Sequence, residues 1–108
     1  MTVDTSSFGR AISSARKALQ LSQKELAAKI IKEDGDAITP QYLNDIEHDR
    51  RNPSSDHIVK QFATVLKISP DILYWLAGRV PSDISKVGVT PERINQAFMA
   101  FRKALKDR

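Results

Sequence analysis

Apolar residues recur along this chain at intervals of three and four, and no stretch shows the alternation of a strand. Phe8, Ala11, Ile12, Ala15 and Leu19 place a first helix over about Ser7 to Gln20. Leu21-Ser22-Gln23-Lys24-Glu25-Leu26-Ala27-Ala28-Lys29-Ile30 opens a second on a Ser-x-x-Glu box, in which the hydroxyl takes one orphan amide and the carboxylate reaches back for another. Thr39-Pro40-Gln41-Tyr42-Leu43-Asn44-Asp45-Ile46-Glu47 predicts a third, with Thr39 as N-cap and proline where its missing N–H costs nothing. Ser54 or Ser55 caps a fourth helix whose stripe is Ile58, Val59, Phe62, Val65 and Leu66. Ser69-Pro70-Asp71 opens a fifth, with Leu73 and Leu76 inward and Gly78 as its stop. Each helix is too short to be stable alone, so the stripes must pool into one all-α core.

The composition changes after Gly78. Residues 79–89 read as a connector broken by Pro81 and Gly88, and Thr90-Pro91-Glu92 starts a sixth helix running to about Lys106. Ile94, Ala97, Phe98, Phe101 and Leu105 line one side of it. The expected organisation is a five-helix domain over 7–78, a connector over 79–89 and an amphipathic C-terminal segment over 90–108.

The third helix carries the chemistry. With Leu43 and Ile46 inward, Gln41, Asn44, Asp45 and His48 share the outer face, and Arg50-Arg51-Asn52 follows at once. A carboxamide donates and accepts together, which matches the N6/N7 edge of adenine, and Asp45 suits the N4 donor of cytosine or repels phosphate. Arginines and an asparagine beside such a face suit phosphate oxygens, which fix register rather than sequence; the alternative is neutralisation of the helix dipole. At the start of the second helix, the free N–H groups behind Ser22 and Gln23 favour a phosphate, although Ser22 also caps. The Tyr42 ring fits the edge of the core, with its hydroxyl turned either to the core edge or to the phosphate backbone.

These residues resemble the lambda-repressor-like helix-turn-helix family of phage and bacterial regulators. The resemblance runs from about Phe8 to Gly78. It rests on the Ser-Gln-x-Glu-Leu-Ala opening, Tyr-Leu-x-x-Ile-Glu in the recognition helix, Arg-Arg-x-Pro after it, and a last helix ending Leu-Ala-Gly. It implies a compact five-helix DNA-binding domain, with Ser22, Gln23, Thr39, Gln41, Tyr42, Asn44, Asp45, Arg50, Arg51 and Asn52 at the DNA and Gln23 on a phosphate. It further implies a buried ion pair between Arg16 and Glu47 that locks the first helix to the recognition helix. Two features depart from the family. Pro40 stands where members often carry a hydrogen-bonding side chain, which shifts readout towards Gln41, Tyr42 and Asn44. Ile31-Lys32-Glu33-Asp34-Gly35-Asp36-Ala37 fills the place of a tight turn with roughly six residues more than the common form, leaving the angle between the two helices open. Its acidic centre reads as a solvated turn or as a device for specificity or partner contact.

Charge adds less than it promises. The net charge is +4, yet ten Lys/Arg balance ten Asp/Glu over residues 1–78, and the excess lies in 79–108. Bulk electrostatics therefore does not argue for DNA; local placement must. The absence of cysteine fits a reducing cytoplasm, and no stretch approaches the ~18 apolar residues of a membrane span. His48 and His57 lack the partners of a metal site, no nucleophile constellation is apparent, and neither a cofactor nor catalysis is expected. The expected function is a cytoplasmic, sequence-specific repressor acting as a homodimer on a two-fold-related operator of double-stranded DNA. Its rivals are an antitoxin, whose 79–108 segment would bind a toxin protein, and a protein-interaction module that has lost DNA binding.

Overall fold

Hydroxyl caps set where the helices begin. The computed structural model describes residues 2–85 and 88–106; Lys86 and Val87 of the expected connector, and Asp107 and Arg108 of the C-terminal segment, lie outside the described residues. Ser7 Oγ accepts from Arg10 N at 3.1 Å and starts α1 (Phe8–Ala18). Ser22 Oγ accepts from Glu25 N at 3.0 Å while Glu25 Oε1 accepts from Ser22 N at 2.9 Å, closing the box ahead of α2 (Gln23–Lys29). The bond from the Ser22 amide holds the Glu25 carboxyl below its ordinary pKa. Thr39 caps α3 (Pro40–Glu47) through Tyr42 N at 3.0 Å, and Ser55 rather than Ser54 caps α4 (Asp56–Leu66). In α5 (Pro70–Ala77) Pro70 stands at the start, Ser69 makes no side-chain cap, and Gly78 ends the helix in the left-handed region at φ +67°. The first helix is shorter than expected: Ser7 lies outside it as cap, and Gln20 has already left it with φ +59°.

The pooled stripes meet around Phe62, which is fully buried and stands edge-on to Phe8 at 6.0 Å between ring centroids. Ile12, Leu26, Ile30, Leu43, Ile46, Ile58 and Leu73 are buried with it. Each such side chain contributes roughly 1.5–3 kcal/mol on leaving water, which short helices cannot supply separately. Leu76 is only half-buried; Tyr74 takes the inward place beside Leu73, and Trp75 points out with 61% of its surface exposed. Burial, with the Asp56 and Asp83 carboxylates nearby, pushes the Tyr74 hydroxyl above its ordinary pKa.

The lengthened turn between α2 and α3 closes on itself. Ile31 and Ala37 form an antiparallel bridge, Lys32 N donates to Asp36 O at 2.8 Å, and Gly35 turns the tip at φ +93°. Ile38 N donates to Ile30 O at 2.9 Å, so the chain returns to the point it left. Two α4 side chains grip its base: Gln61 Oε1 accepts from Ile31 N at 3.0 Å, and His57 Nε2 lies 2.8 Å from Ile31 O. A carbonyl can only accept, so that ring nitrogen carries the proton. The extra residues thus project as a small hairpin while core contacts of Leu26, Ile30, Leu43 and Ile46 hold α2 against α3.

The connector is more regular than its Pro and Gly breaks suggest. Arg79 Nε donates to Asp56 Oδ1 at 3.1 Å and its Nη1 to Pro53 O at 3.3 Å, tying the chain to the start of α4. A short α6 (Ser82–Ser85) follows, so seven helices replace the expected six among the described residues. Burial alone would raise the Asp56 pKa, but bonds from Arg79 and Ser82 outweigh it and hold the carboxyl low. The last helix, α7 (Pro91–Lys106), has no buried residue. It meets the five-helix unit where Phe101 stacks on Trp75, with ring centroids 5.3 Å apart.

Candidate nucleic-acid interface

The start of α2, the outer face of α3 and the segment after it lie together because three anchors fix α3. The first is the ion pair between Arg16 and Glu47. Arg16 Nε donates to Glu47 Oε2 at 2.6 Å and Nη2 to Oε1 at 3.0 Å, while Nη1 donates to Leu21 O at 2.9 Å. Their side chains are 12% and 4% exposed, so this is the buried lock that the resemblance implied. The second anchor is the apolar pair Leu43 and Ile46, both fully buried.

The third anchor was not foreseen. Asp49, just past α3, has φ +56° and turns its carboxylate back to the start of α1. It accepts from Ser7 Oγ at 2.7 Å and from Gly9 N at 2.9 Å. There α1 crosses the end of α3 so closely that a Cβ on Gly9 would sit 2.5 Å from Ile46 O and 2.6 Å from Glu47 O. Only glycine allows that approach. A glycine inside an amphipathic helical pattern is a readable signal of close packing; nothing local in the sequence marks Asp49.

From Glu47 a chain of polar contacts runs outward. Gln23 Nε2 donates to Glu47 Oε1 at 3.0 Å, and Asn44 Nδ2 donates to Gln23 Oε1 at 3.4 Å. Arg50 Nη2 donates to Asn44 Oδ1 at 2.7 Å, and its Nε to Asp45 Oδ1 at 3.1 Å. Gln41 Nε2 also donates to Asp45 Oδ1, at 3.1 Å. Arg16, Gln23, Asn44 and Arg50 therefore belong to one network that crosses from the core to the surface of α3.

That network revises several expected roles. Gln23 is half-buried at the start of α2 and orients Asn44, besides lying where a phosphate contact was expected. Arg50, expected with Arg51 as a phosphate clamp, folds back over α3 and neutralises Asp45. With 55% of the Arg50 side chain exposed, that pair is worth at most about 1 kcal/mol. Asp45 is thus a partner to Arg50 and Gln41 rather than an unpaired charge. Arg51 lies over the Tyr42 ring, 4.8 Å from its centroid, and Asn52 is exposed beside it. The Tyr42 hydroxyl accepts from Ser54 N at 3.0 Å, which places it at the turn after α3 with its own proton still free to donate. Ser22 and Thr39 act as caps, with Ser22 exposed at the positive end of α2 and Thr39 exposed at that of α3. Gln41 is the most accessible of the expected base readers, while Asn44 and Asp45 are half-buried in the network.

The surface that results has a carboxamide and a second, preoriented carboxamide on a short helix, flanked by Arg50, Arg51 and two helix N-termini. It offers bidentate hydrogen bonding at its centre and cations at its rim, the distribution that separates base contacts from phosphate contacts. His48 Nδ1 lies 2.9 Å from Asn44 O, and among the described residues no group of His, Cys, Asp and Glu is arranged to hold a metal ion. In comparisons with known proteins, the family model described as Helix-turn-helix matches residues 12–73, more than half of the chain, from within α1 to within α5. No curated protein and no solved structure gives a match.

Proposed function

From the premise that this chain belongs to the Cro/C1-type, lambda-repressor-like helix-turn-helix family of DNA-binding transcription regulators, we propose that it is a bacterial or phage repressor that acts in the cytoplasm as a homodimer on a two-fold-related operator. The observation that carries this reading is the outer face of α3, where Gln41 is exposed and Asn44 is held by Gln23 and Arg50. Gln41 and Asn44 read base edges in the major groove, with Asp45 excluding or accepting at a neighbouring base pair. The starts of α2 and α3, behind Ser22, Gln23 and Thr39, receive phosphates. Arg51, Asn52 and Tyr42 hold the backbone beyond the recognition helix, and Arg50 joins them when it releases Asp45. Because residues 1–78 carry no net charge, affinity rests on these placed contacts rather than on a general basic field. Bound across a promoter, the dimer excludes polymerase.

Selection of bound sites from a random DNA pool tests the reading. The expected outcome is enrichment of two inverted half-sites, with centres about 10 bp apart or a multiple of that. Enrichment of a single half-site would remove the dimer from the proposal, and no enrichment would remove sequence-specific binding. An antitoxin is the second reading, favoured by the apolar stripe of α7, whose Ile94, Phe98, Phe101 and Leu105 all remain about half exposed. A small toxin encoded beside this chain, and stable binding of that toxin to full-length protein but not to protein ending at Ser85, would replace simple repression with that role.

A further inference from the structure

Four apolar side chains of α7, Ile94, Phe98, Phe101 and Leu105, are spaced by four, three and four residues and are all 43–60% exposed. That is the period of a two-helix seam, along which each side chain enters a hole between four residues of a facing helix. The order 4-3-4 also reads the same from either end. When two copies of the helix run in opposite directions, every position finds an apolar partner: Ile94 meets Leu105 of the other copy, and Phe98 meets its Phe101.

We propose that α7 pairs with α7 of a second copy of this chain in an antiparallel arrangement, in that register. The proposal rests on the dimer reading above and specifies how the dimer is built.

Charge selects the direction. Glu92 and Arg93 lie in the first turn and cancel, whereas Lys103 and Lys106 lie in the last, with Arg102 beside them. Parallel helices would set these basic ends, and the negative ends of both helix dipoles, side by side. Antiparallel helices separate the two basic ends, set each against the uncharged Glu92–Arg93 start of the other, and oppose the dipoles favourably. The flanks of the seam agree. Ala97 of one copy faces Ala104 of the other, which lets the backbones approach, and Arg102 faces Asn95 without meeting a like charge.

The interface does not stop at α7. Trp75 of α5, 61% exposed, stacks on Phe101 of its own chain, so the apolar surface continues from the seam onto the five-helix unit. Two heptads are too few for a durable coiled coil by themselves, and this flanking ring widens the buried area. It also fixes each DNA-binding unit relative to the two-fold axis, because the same phenylalanine touches its own Trp75 and the other copy's Phe98.

The chain has no cysteine and a single tryptophan, which makes the test direct. Full-length protein should sediment as a dimer at tens of micromolar, with a concentration-dependent shift of Trp75 emission. Phe98→Ala should weaken association at least tenfold. Far-ultraviolet circular dichroism and the thermal melt of the five-helix unit should barely change, since α7 contributes no buried residue. Spin labels on Arg93→Cys decide direction. At 1.5 Å rise per residue, antiparallel pairing sets the two labels about 20 Å apart along the axis, whereas parallel pairing sets them side by side. A dimer with adjacent labels would overturn the register. A monomer at these concentrations, or a dimer indifferent to Phe98→Ala, would overturn the interface. Either result leaves DNA binding by the monomeric unit to be judged by site selection alone.

Discussion

Replacing Glu47 by alanine removes one carboxylate and breaks three hydrogen bonds, two from Arg16 and one from Gln23. The Arg16 guanidinium stays behind with a single acceptor, Leu21 O, in a site where its side chain is 12% exposed. Stranding a buried charge in this way costs about 3–5 kcal/mol, and the surviving bond and slight solvent access set the expectation near the lower bound, about 3 kcal/mol. For a domain of this size each kcal/mol moves Tm by about 4–8 °C, so a fall of about 12–24 °C is expected. Urea and thermal denaturation of Glu47→Ala, Arg16→Met and the double variant give the coupling directly. The double variant leaves no charge stranded and should lose much less than the sum of the two single losses. Operator affinity, measured well below the melt, should also fall, because Gln23 loses the acceptor that orients it towards Asn44. A loss under about 1 kcal/mol, with the two substitutions additive, would refute the buried lock and the placement of α3 that depends on it.

Gln41→Ala should lower affinity for the selected site by about 1–3 kcal/mol while barely changing affinity for random DNA, since it deletes a base contact and no phosphate contact; equal losses in a binding titration on both would contradict that role. Arg50→Ala combined with Arg51→Ala should weaken both kinds of binding and flatten the log–log salt dependence by roughly 0.9 for each phosphate that is no longer neutralised, and an unchanged slope would exclude these arginines from the DNA backbone. Gly9→Ala offers a contest between two effects: alanine favours an exposed helix by up to about 1 kcal/mol, but here its Cβ would lie 2.5 Å from Ile46 O, so overpacking of about 1–3 kcal/mol or more should win and the melt should fall. A raised melt would mean that α1 crosses α3 at a greater distance. Asp56 titrates below its ordinary 3.8 in the folded chain, so its contribution to stability is complete above that value and is lost as pH falls through the lower folded pKa. Acid denaturation should therefore be shallower below about pH 4 in Asp56→Asn than in the parent chain.

The local signals were legible because they act over one turn. The Ser22–Glu25 box, Thr39 with Pro40, and Gly78 as a stop each satisfy or terminate backbone bonds within about four residues, and all three stand where the sequence put them. The inward stripes were legible for the same reason, since helical period alone sorts Leu43 and Ile46 from Gln41 and Asn44. The pairing of Arg16 with Glu47, 31 residues apart, came from the family resemblance, and the structure places it as expected.

Tertiary structure decided what depends on two segments meeting. Asp49 caps a helix 40 residues earlier, Arg50 turns onto Asp45 and Asn44 rather than outwards, and Tyr42 meets Ser54 across the turn after α3. No periodicity encodes these contacts, because each depends on crossing angles set by the whole core. Residues 31–37, in the turn between α2 and α3, show the division most plainly. Their composition reads as a solvated turn or as a device for specificity or partner contact, but only the fold determined that they return to Ile30 and are gripped by His57 and Gln61, leaving the two helices packed on one another. Sequence by itself therefore determined which helices form and which face of each is apolar. Their mutual placement, and with it the network that presents Asn44 and restrains Arg50, followed from burial of the shared stripes, a property of the assembled core and of no single segment.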